Sequence, residues 1–252
     1  MQTLQRLLIP ALDLCTEVGL YLRLSGPATL DVANRHILLR AGGEVRTDTY
    51  FGVVSVGLWR GRTSVEQLAL RLDAMGSFDV EAVVNGDDGQ FVVAAAQLDD
   101  ERSTLDLPPF ATLPDGLVSF RIRCSSPHGR RRGAEVVTAD EATRPVHLGV
   151  AITTFNRMPF VASNVVRLST LFKELPQLAK TVEVIIVDNG SNRELPVPRS
   201  APLEIVANPN LGGAGGFAAA CSSIADVVGR RTCCSWTATS CSSRRSSPAR
   251  SS

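Results

Sequence analysis

No run in this 252-residue chain approaches the roughly 18 apolar residues of a membrane-spanning helix. The N-terminus, MQTLQRLLIPALDL, has too short an apolar stretch for a secretory signal and no small-residue cleavage site. Excess charge is missing too. With 26 basic and 25 acidic side chains there is no general pull toward nucleic acid or an anionic membrane. Six cysteines occur, none in C-x-x-C spacing, so neither a disulfide framework nor a zinc site is indicated. The cysteine pattern fits a reducing cytoplasm, and no nucleic-acid partner is expected. Aromatic residues are few. Tyr50, Phe51, Trp59 and Arg60 make the one aromatic-rich stretch of the first half. It reads either as a sugar-stacking platform or as core packing with one snorkelling arginine, and core packing is the expectation.

What is present divides in two, and the length allows two domains. Residues 1–146 read as an all-β sandwich or small barrel. Leu117 to Cys124 alternates, with Val118, Phe120, Ile122 and Cys124 on one face and Ser119, Arg121 and Arg123 on the other. Leu68, Leu70 and Leu72 alternate with Ala69 and Arg71. Val80–Val84 and Phe91–Ala95 flank Asn85 to Gly89, whose Asn-Gly-Asp-Asp-Gly is a hairpin signal. From Ser125 to Pro145 the chain turns polar, and Arg130, Arg131 and Arg132 suggest a solvated linker.

From residue 147 the pattern changes. His147 to Phe155 and Thr181 to Asp188 are apolar runs that stop abruptly at polar residues. Between them Val161, Val165, Leu168, Leu171, Phe172, Leu175 and Leu178 recur at helical spacing behind Pro159. Leu203 to Ala207 is a third run, followed by Asn208-Pro209-Asn210 and LGGAGGF. This order predicts buried parallel strands in an α/β domain, residues 147–228, with a ligand cleft at their carboxyl ends. Asp188 reads as a ligand carboxylate or as a turn-forming residue ahead of Asn189-Gly190. Arg157 reads as a phosphate partner or a surface arginine. The glycines at 212, 213, 215 and 216 do not fit G-x-G-x-x-G, and they follow the third strand rather than the first. They are expected to let the backbone approach a ligand, with Gly216 leading into a helix.

AITTFNR, VDNGSN and NPNLGGAGGFA, in this order and spacing, resemble the opening of the inverting family-two glycosyltransferases of the GT-A (Rossmann-like) fold. Within that family the similarity runs to the galactan-polymerising UDP-galactofuranosyltransferases of mycobacteria and relatives. Those carry a β-sandwich ahead of the transferase domain, and their Tyr-Phe and Trp-Arg elements are similar to Tyr50-Phe51 and Trp59-Arg60. The resemblance implies that Thr154, Phe155, Arg157 and Asp188 contact the UDP of a UDP-sugar donor, with Gly212 and Gly213 against the nucleotide. It also implies a polysaccharide or lipid-linked glycan acceptor and a site at the cytoplasmic face of the membrane, reached by peripheral association. A divalent metal, manganese or magnesium, is implied for the intact family. Its Asp-x-Asp ligands and the acceptor-side base lie further on in that family and are not encoded here. A non-catalytic carbohydrate-binding protein and a rhamnosyltransferase are the competing readings.

Residues 229–252 read as a non-native or disordered tail. Arg230 to Ser252 contains no Leu, Ile or Val, so no buried strand is expected from it. If the codon of Ser235 ends in A, the neighbouring frame across Cys233 to Ser240 allows Leu-Leu-Met-Asp-Gly-Asp-Val. That is a strand ending in Asp-x-Asp, and it suggests a frameshift between about Phe217 and Arg230. A sheet cut short in this way would leave Val184, Ile186 and Ile205 uncovered, in a fragment without transferase activity.

Overall fold

The computed structural model describes residues 1–11, 15–99, 102–143, 145–190, 202–228 and 233–237. The chain divides into two compact units, Met1–Ala142 and Thr143–Ser252.

The first unit is a two-sheet antiparallel β-sandwich. Its strands are β1 (Gln2–Arg6), β2 (Arg23–Ser25), β3 (Ala28–Asp31), β4 (His36–Leu39), β5 (Glu44–Arg46) and β6 (Val54–Ser55). After a short helix, α1 (Val56–Arg62), come β7 (Ala69–Met75), β8 (Phe78–Gly86), β9 (Gly89–Leu98), β10 (Arg102–Asp106), β11 (Leu117–Cys124) and β12 (Gly129–Thr138). One sheet runs β10-β7-β12-β4-β3, with β1 also on β12. The other runs β2-β5-β11-β8-β9, with β6 also on β11. The inward halves of the alternating strands make one core. Leu70, Leu72 and Val136 from the first sheet meet Phe78, Val118, Phe120 and Ile122 from the second. The alternation predicted for Leu117 to Cys124 is β11 itself. The hairpin is β8–β9, closed at the Gly86–Gly89 pair, where Gly89 has φ +119°.

The stretch expected to be a linker contains β12, which pairs with β1, β4 and β7. Its arginine triplet concealed it. Arg130 is exposed, and Arg132 Nε donates to Asp73 Oδ1 at 2.7 Å. Arg131 points into the sandwich with 1% of its surface exposed, where Nη2 donates to the Leu7 carbonyl at 3.0 Å. Burial pushes its guanidinium down to about 10.

The second unit is a parallel sheet with a helix layer on each face. Its elements are β13 (Leu148–Thr154), α2 (Met158–Glu174), β14 (Val182–Asp188), β15 (Leu203–Ala207), α3 (Gly212–Val228) and β16 (Cys233–Thr237), in strand order β15-β14-β13-β16. Pro159 lies in the first turn of α2, where its missing N–H costs nothing. Val161, Val165 and Phe172 of α2 cover Ile152, Val184 and Ile186. Ala220 and Ile224 of α3 cover Ala151, Ile185 and Val187 on the other face. Val184 and Ile186 are therefore fully buried and Ile205 is packed against the same cluster, contrary to the expectation of an uncovered sheet.

Two further expectations are corrected. A strand does follow residue 228: β16 pairs in parallel with β13 from Gly149↔Cys233 to Thr153↔Thr237. Backbone pairing needs no Leu, Ile or Val, which is why composition missed it. The helix α3 begins at Gly212, four residues before Gly216, so all four glycines fall within its bounds. A Cβ on Gly216 would lie 2.6 Å from Asn189 Nδ2 and 3.1 Å from Thr153 Cγ2, so close packing of α3 on the strand ends explains this glycine. No helix among the described residues is long and apolar enough to cross a membrane.

Candidate functional site

The three strands β13, β14 and β15 end flush. Thr154 pairs with Asp188, and Asp188 with Ala207. Chain direction across the sheet reverses at β13, since β14 and β15 step one way and α3 carries the chain back to β16 on the other side. The carboxyl edge at such a reversal is where open α/β sheets leave a crevice.

Thr154 is 4% exposed, and its Oγ1 has no hydrogen-bond partner among the described residues. A buried hydroxyl without a partner costs about 1–3 kcal/mol. Asp188 is 4% exposed, and its Oδ1 accepts from the Gly190 N–H at 3.2 Å. The turn-forming reading of Asp188 is therefore realised in the free protein, and its position beside Thr154 keeps the ligand reading open.

Asn189 and Asn208, absent from the expected site residues, tie this edge together. Asn208 Nδ2 donates to Asn189 Oδ1 at 2.8 Å, and Asn189 Nδ2 donates to the Gly212 carbonyl at 3.4 Å. This amide chain joins the ends of β14 and β15 to the start of α3. The Asn208-Pro209-Asn210 motif was the available signal, but the bond depends on strand adjacency that spacing does not reveal. A cavity of about 340 Å³ opens here, lined by Asp188, Asn189, Gly190, Ala207, Asn208, Pro209 and Asn210.

The other expected residues are placed as follows. Phe155 is exposed, and its ring lies over Gly190, where a Cβ would collide with it. Arg157 is exposed at the N-cap of α2. Gly212, at φ +72°, and Gly213 face open space, with nothing within 4 Å of a Cβ built on either. The sheet edge thus brings Thr154 and Asp188 together, and the cavity lining includes only Asp188 of the six. Ser191 and Asn192 of the VDNGSN motif lie outside the described residues. Among the described residues no three His, Cys, Asp or Glu side chains come together to hold a metal ion. The implied manganese or magnesium therefore has no donor set among them.

In the first unit the aromatic stretch splits, correcting the expectation of core packing in part. Trp59 packs against the core, and Arg60 is structural, with Nε donating to the Phe110 carbonyl at 3.0 Å and Nη1 to Asp115 Oδ1 at 2.8 Å. Tyr50, however, is 78% exposed and Phe51 41%. Tyr21 stacks on Phe51 at 4.8 Å between ring centroids, and Tyr50 meets Phe51 edge-on at 4.9 Å.

No family model matches the chain, and no curated protein matches it. Among solved structures it is similar to a family two carbohydrate esterase from Cellvibrio japonicus, at 11% identity and TM-score 0.27, over 69% of this chain. The chain spans about half of that esterase, 51% of its length. It is also similar to CsCBM6-3 from Clostridium stercorarium, solved in complex with cellobiose, at 8% identity and TM-score 0.29, over 46% of this chain and 87% of that one. A third similarity is to a Glycosylation Associate Protein (Gap123) complex from Streptococcus agalactiae, at 9% identity and TM-score 0.28, over 66% of each chain. Likeness at these scores carries no argument about function.

Proposed function

We propose that this chain is a carbohydrate-binding protein whose second unit holds the nucleotide part of an activated sugar. One observation carries the binding reading: the exposed Tyr50 ring meets Phe51 edge-on, and Phe51 is stacked on Tyr21 and tied down through its backbone. The Phe51 N–H donates to the Leu20 carbonyl at 2.9 Å, and Gln5 Nε2 donates to the Phe51 carbonyl at 3.2 Å. An exposed ring offers the C–H face of a sugar an apolar surface, and the phenol adds a hydrogen-bonding tip. A polysaccharide is the expected partner. The test is calorimetry of the full chain with galactan oligosaccharides. Tyr50→Ala should abolish detectable binding and leave the melting temperature unchanged. Wild-type affinity in that variant, or no glycan binding at all, would refute the reading.

The finer reading concerns the donor. The buried Thr154 hydroxyl and the open space before Gly212 and Gly213 favour a nucleoside diphosphate at the sheet edge. The resemblance to GT-A galactofuranosyltransferases points to UDP-galactofuranose. UDP titration measures this site separately. Asp188→Ala should weaken UDP binding about tenfold or more, as loss of a charge-assisted hydrogen bond would, and leave glycan binding untouched.

A further inference from the structure

The outer face of the β10-β7-β12-β4-β3 sheet carries a second candidate surface. Arg130 of β12 is in register with Leu38 of β4 and with Met75 of β7, and Leu38 is in register with Thr29 of β3. Thr29, Leu38, Arg130 and Met75 therefore form one row across four strands, about 14 Å long at ordinary strand spacing. The row floors an open groove of about 830 Å³, which Arg40 and His128 also line.

Two properties set the groove apart from the rest of its sheet. The first is charge. Two arginines, Arg40 and Arg130, line it and no Asp or Glu does. Neighbouring arginines on this sheet are neutralised: Arg6 and Arg71 pair with Glu135, and Arg132 with Asp73. Arg40 and Arg130 have no ion pair among the described residues. The second is apolar exposure. Leu38 is 41% exposed and Met75 45%, one on each side of Arg130. A free phosphate or other small anion would use the arginines and leave both aliphatic side chains unused.

We propose that this groove binds an acidic polysaccharide, a chain of uronic acid sugars. Such a chain carries a carboxylate on each ring and apolar C–H faces between them. Arg130 pairs with a carboxylate at the centre of the groove, Arg40 with a second, and Leu38 and Met75 take the ring faces. The site and the ligand differ from those of the Tyr50 reading, and neither depends on the other.

The test is calorimetry of the full chain with polygalacturonate, with neutral galactan and anionic phospholipid vesicles run alongside. The expected result is polygalacturonate binding that weakens with added salt. Arg130→Gln should weaken it about tenfold, and Arg130→Glu should abolish it, while the exposed position leaves the melting temperature unchanged. Arg40→Gln provides an independent variant should Arg130 changes disturb β12. Leu38→Ser with Met75→Ser should also weaken binding, which a purely coulombic surface would not show. Tyr50→Ala should have no effect on polygalacturonate, so failure here and failure of the neutral-glycan reading are told apart. The proposal is overturned if polygalacturonate does not bind, if both arginine variants bind it like the wild type, or if the vesicles bind and the polysaccharide does not.

Discussion

Thr154 and Asp188 end adjacent parallel strands in register, and the Asn189 N–H closes the pair by donating to the Thr154 carbonyl at 2.9 Å. The Thr154 and Asp188 carbonyls both accept hydrogen bonds, and the Thr154 hydroxyl has no partner among the described residues. That imbalance gives a prediction with two opposite signs. Thr154→Val keeps the shape and removes the unpaired group, so the free protein should gain about 1 kcal/mol of stability. UDP affinity should fall about fivefold, the equivalent of one hydrogen bond. Denaturant titration and calorimetry read the two effects. A gain in stability with unchanged UDP affinity would make Thr154 a packing residue only.

The glycines of α3 separate in the same manner. Gly216→Ala pushes a methyl group against Asn189 Nδ2 and Thr153, so the Asn189 side chain must leave its hydrogen bonds or the helix must shift. The expected cost is about 1–3 kcal/mol, typical of overpacking. Gly213→Ala meets open space and should stabilise the helix by about 0.5–1 kcal/mol. If the nucleotide lies against Gly213, the same variant binds UDP more weakly. Equal melting temperatures for the two variants would contradict the packing described for Gly216.

Legibility in the sequence followed the chemistry of each element. The alternation of β11, the Asn85–Gly89 turn and the apolar run of β15 could be read directly, because their inward residues are aliphatic or aromatic. In β12 the inward residue amid the triplet is Arg131, whose buried guanidinium breaks the binary pattern that marks a strand. In β16 no aliphatic residue marks the strand, and its place beside β13 is visible only through backbone register. The start of α3 was hidden by glycine's poor helix propensity, which packing of Gly216 on Asn189 overrides. At the site, Thr154 and Asp188 came from strand ends and resemblance. Asn189 and Asn208 came only from the structure, since their amide bond spans 19 positions.

Glu183 introduces a pH dependence. Burial raises its carboxyl above the ordinary value of 4.5, and the nearby Glu204 charge adds to the rise. A carboxyl raised in the folded state favours folding while protonated, so that contribution is present below the unfolded value. It is lost as pH rises through the folded value. At neutral pH the Glu183–Glu204 repulsion therefore opposes β14–β15 pairing. Glu183→Gln should stabilise the chain at pH 7 by about 0.5 kcal/mol, within the range of cross-strand pairs and allowing for solvent screening. The difference should vanish in acid, below the ordinary carboxyl value. An equal effect at both pH values would assign it to packing rather than charge.

The strand β16 sharpens the proposal of a shifted reading frame. A strand beside β13 in a sheet with helices on both faces calls for apolar side chains, yet the sequence there is Cys-Cys-Ser-Trp-Thr. The neighbouring frame allows Leu-Leu-Met over the same segment and Asp-Gly-Asp directly after it. Each added leucine that becomes buried contributes about 1.5–3 kcal/mol, so a chain carrying the shifted sequence from about residue 230 onward should melt several degrees higher. The nucleotide sequence is the first measurement. The Ser235 codon must end in A, and the shifted frame must stay open well beyond codon 252. A codon ending in another base, or an early stop in that frame, would remove the proposal. With an open frame, the melt of the shifted chain decides it, because a strand that gains two leucines in the right register cannot leave stability unchanged.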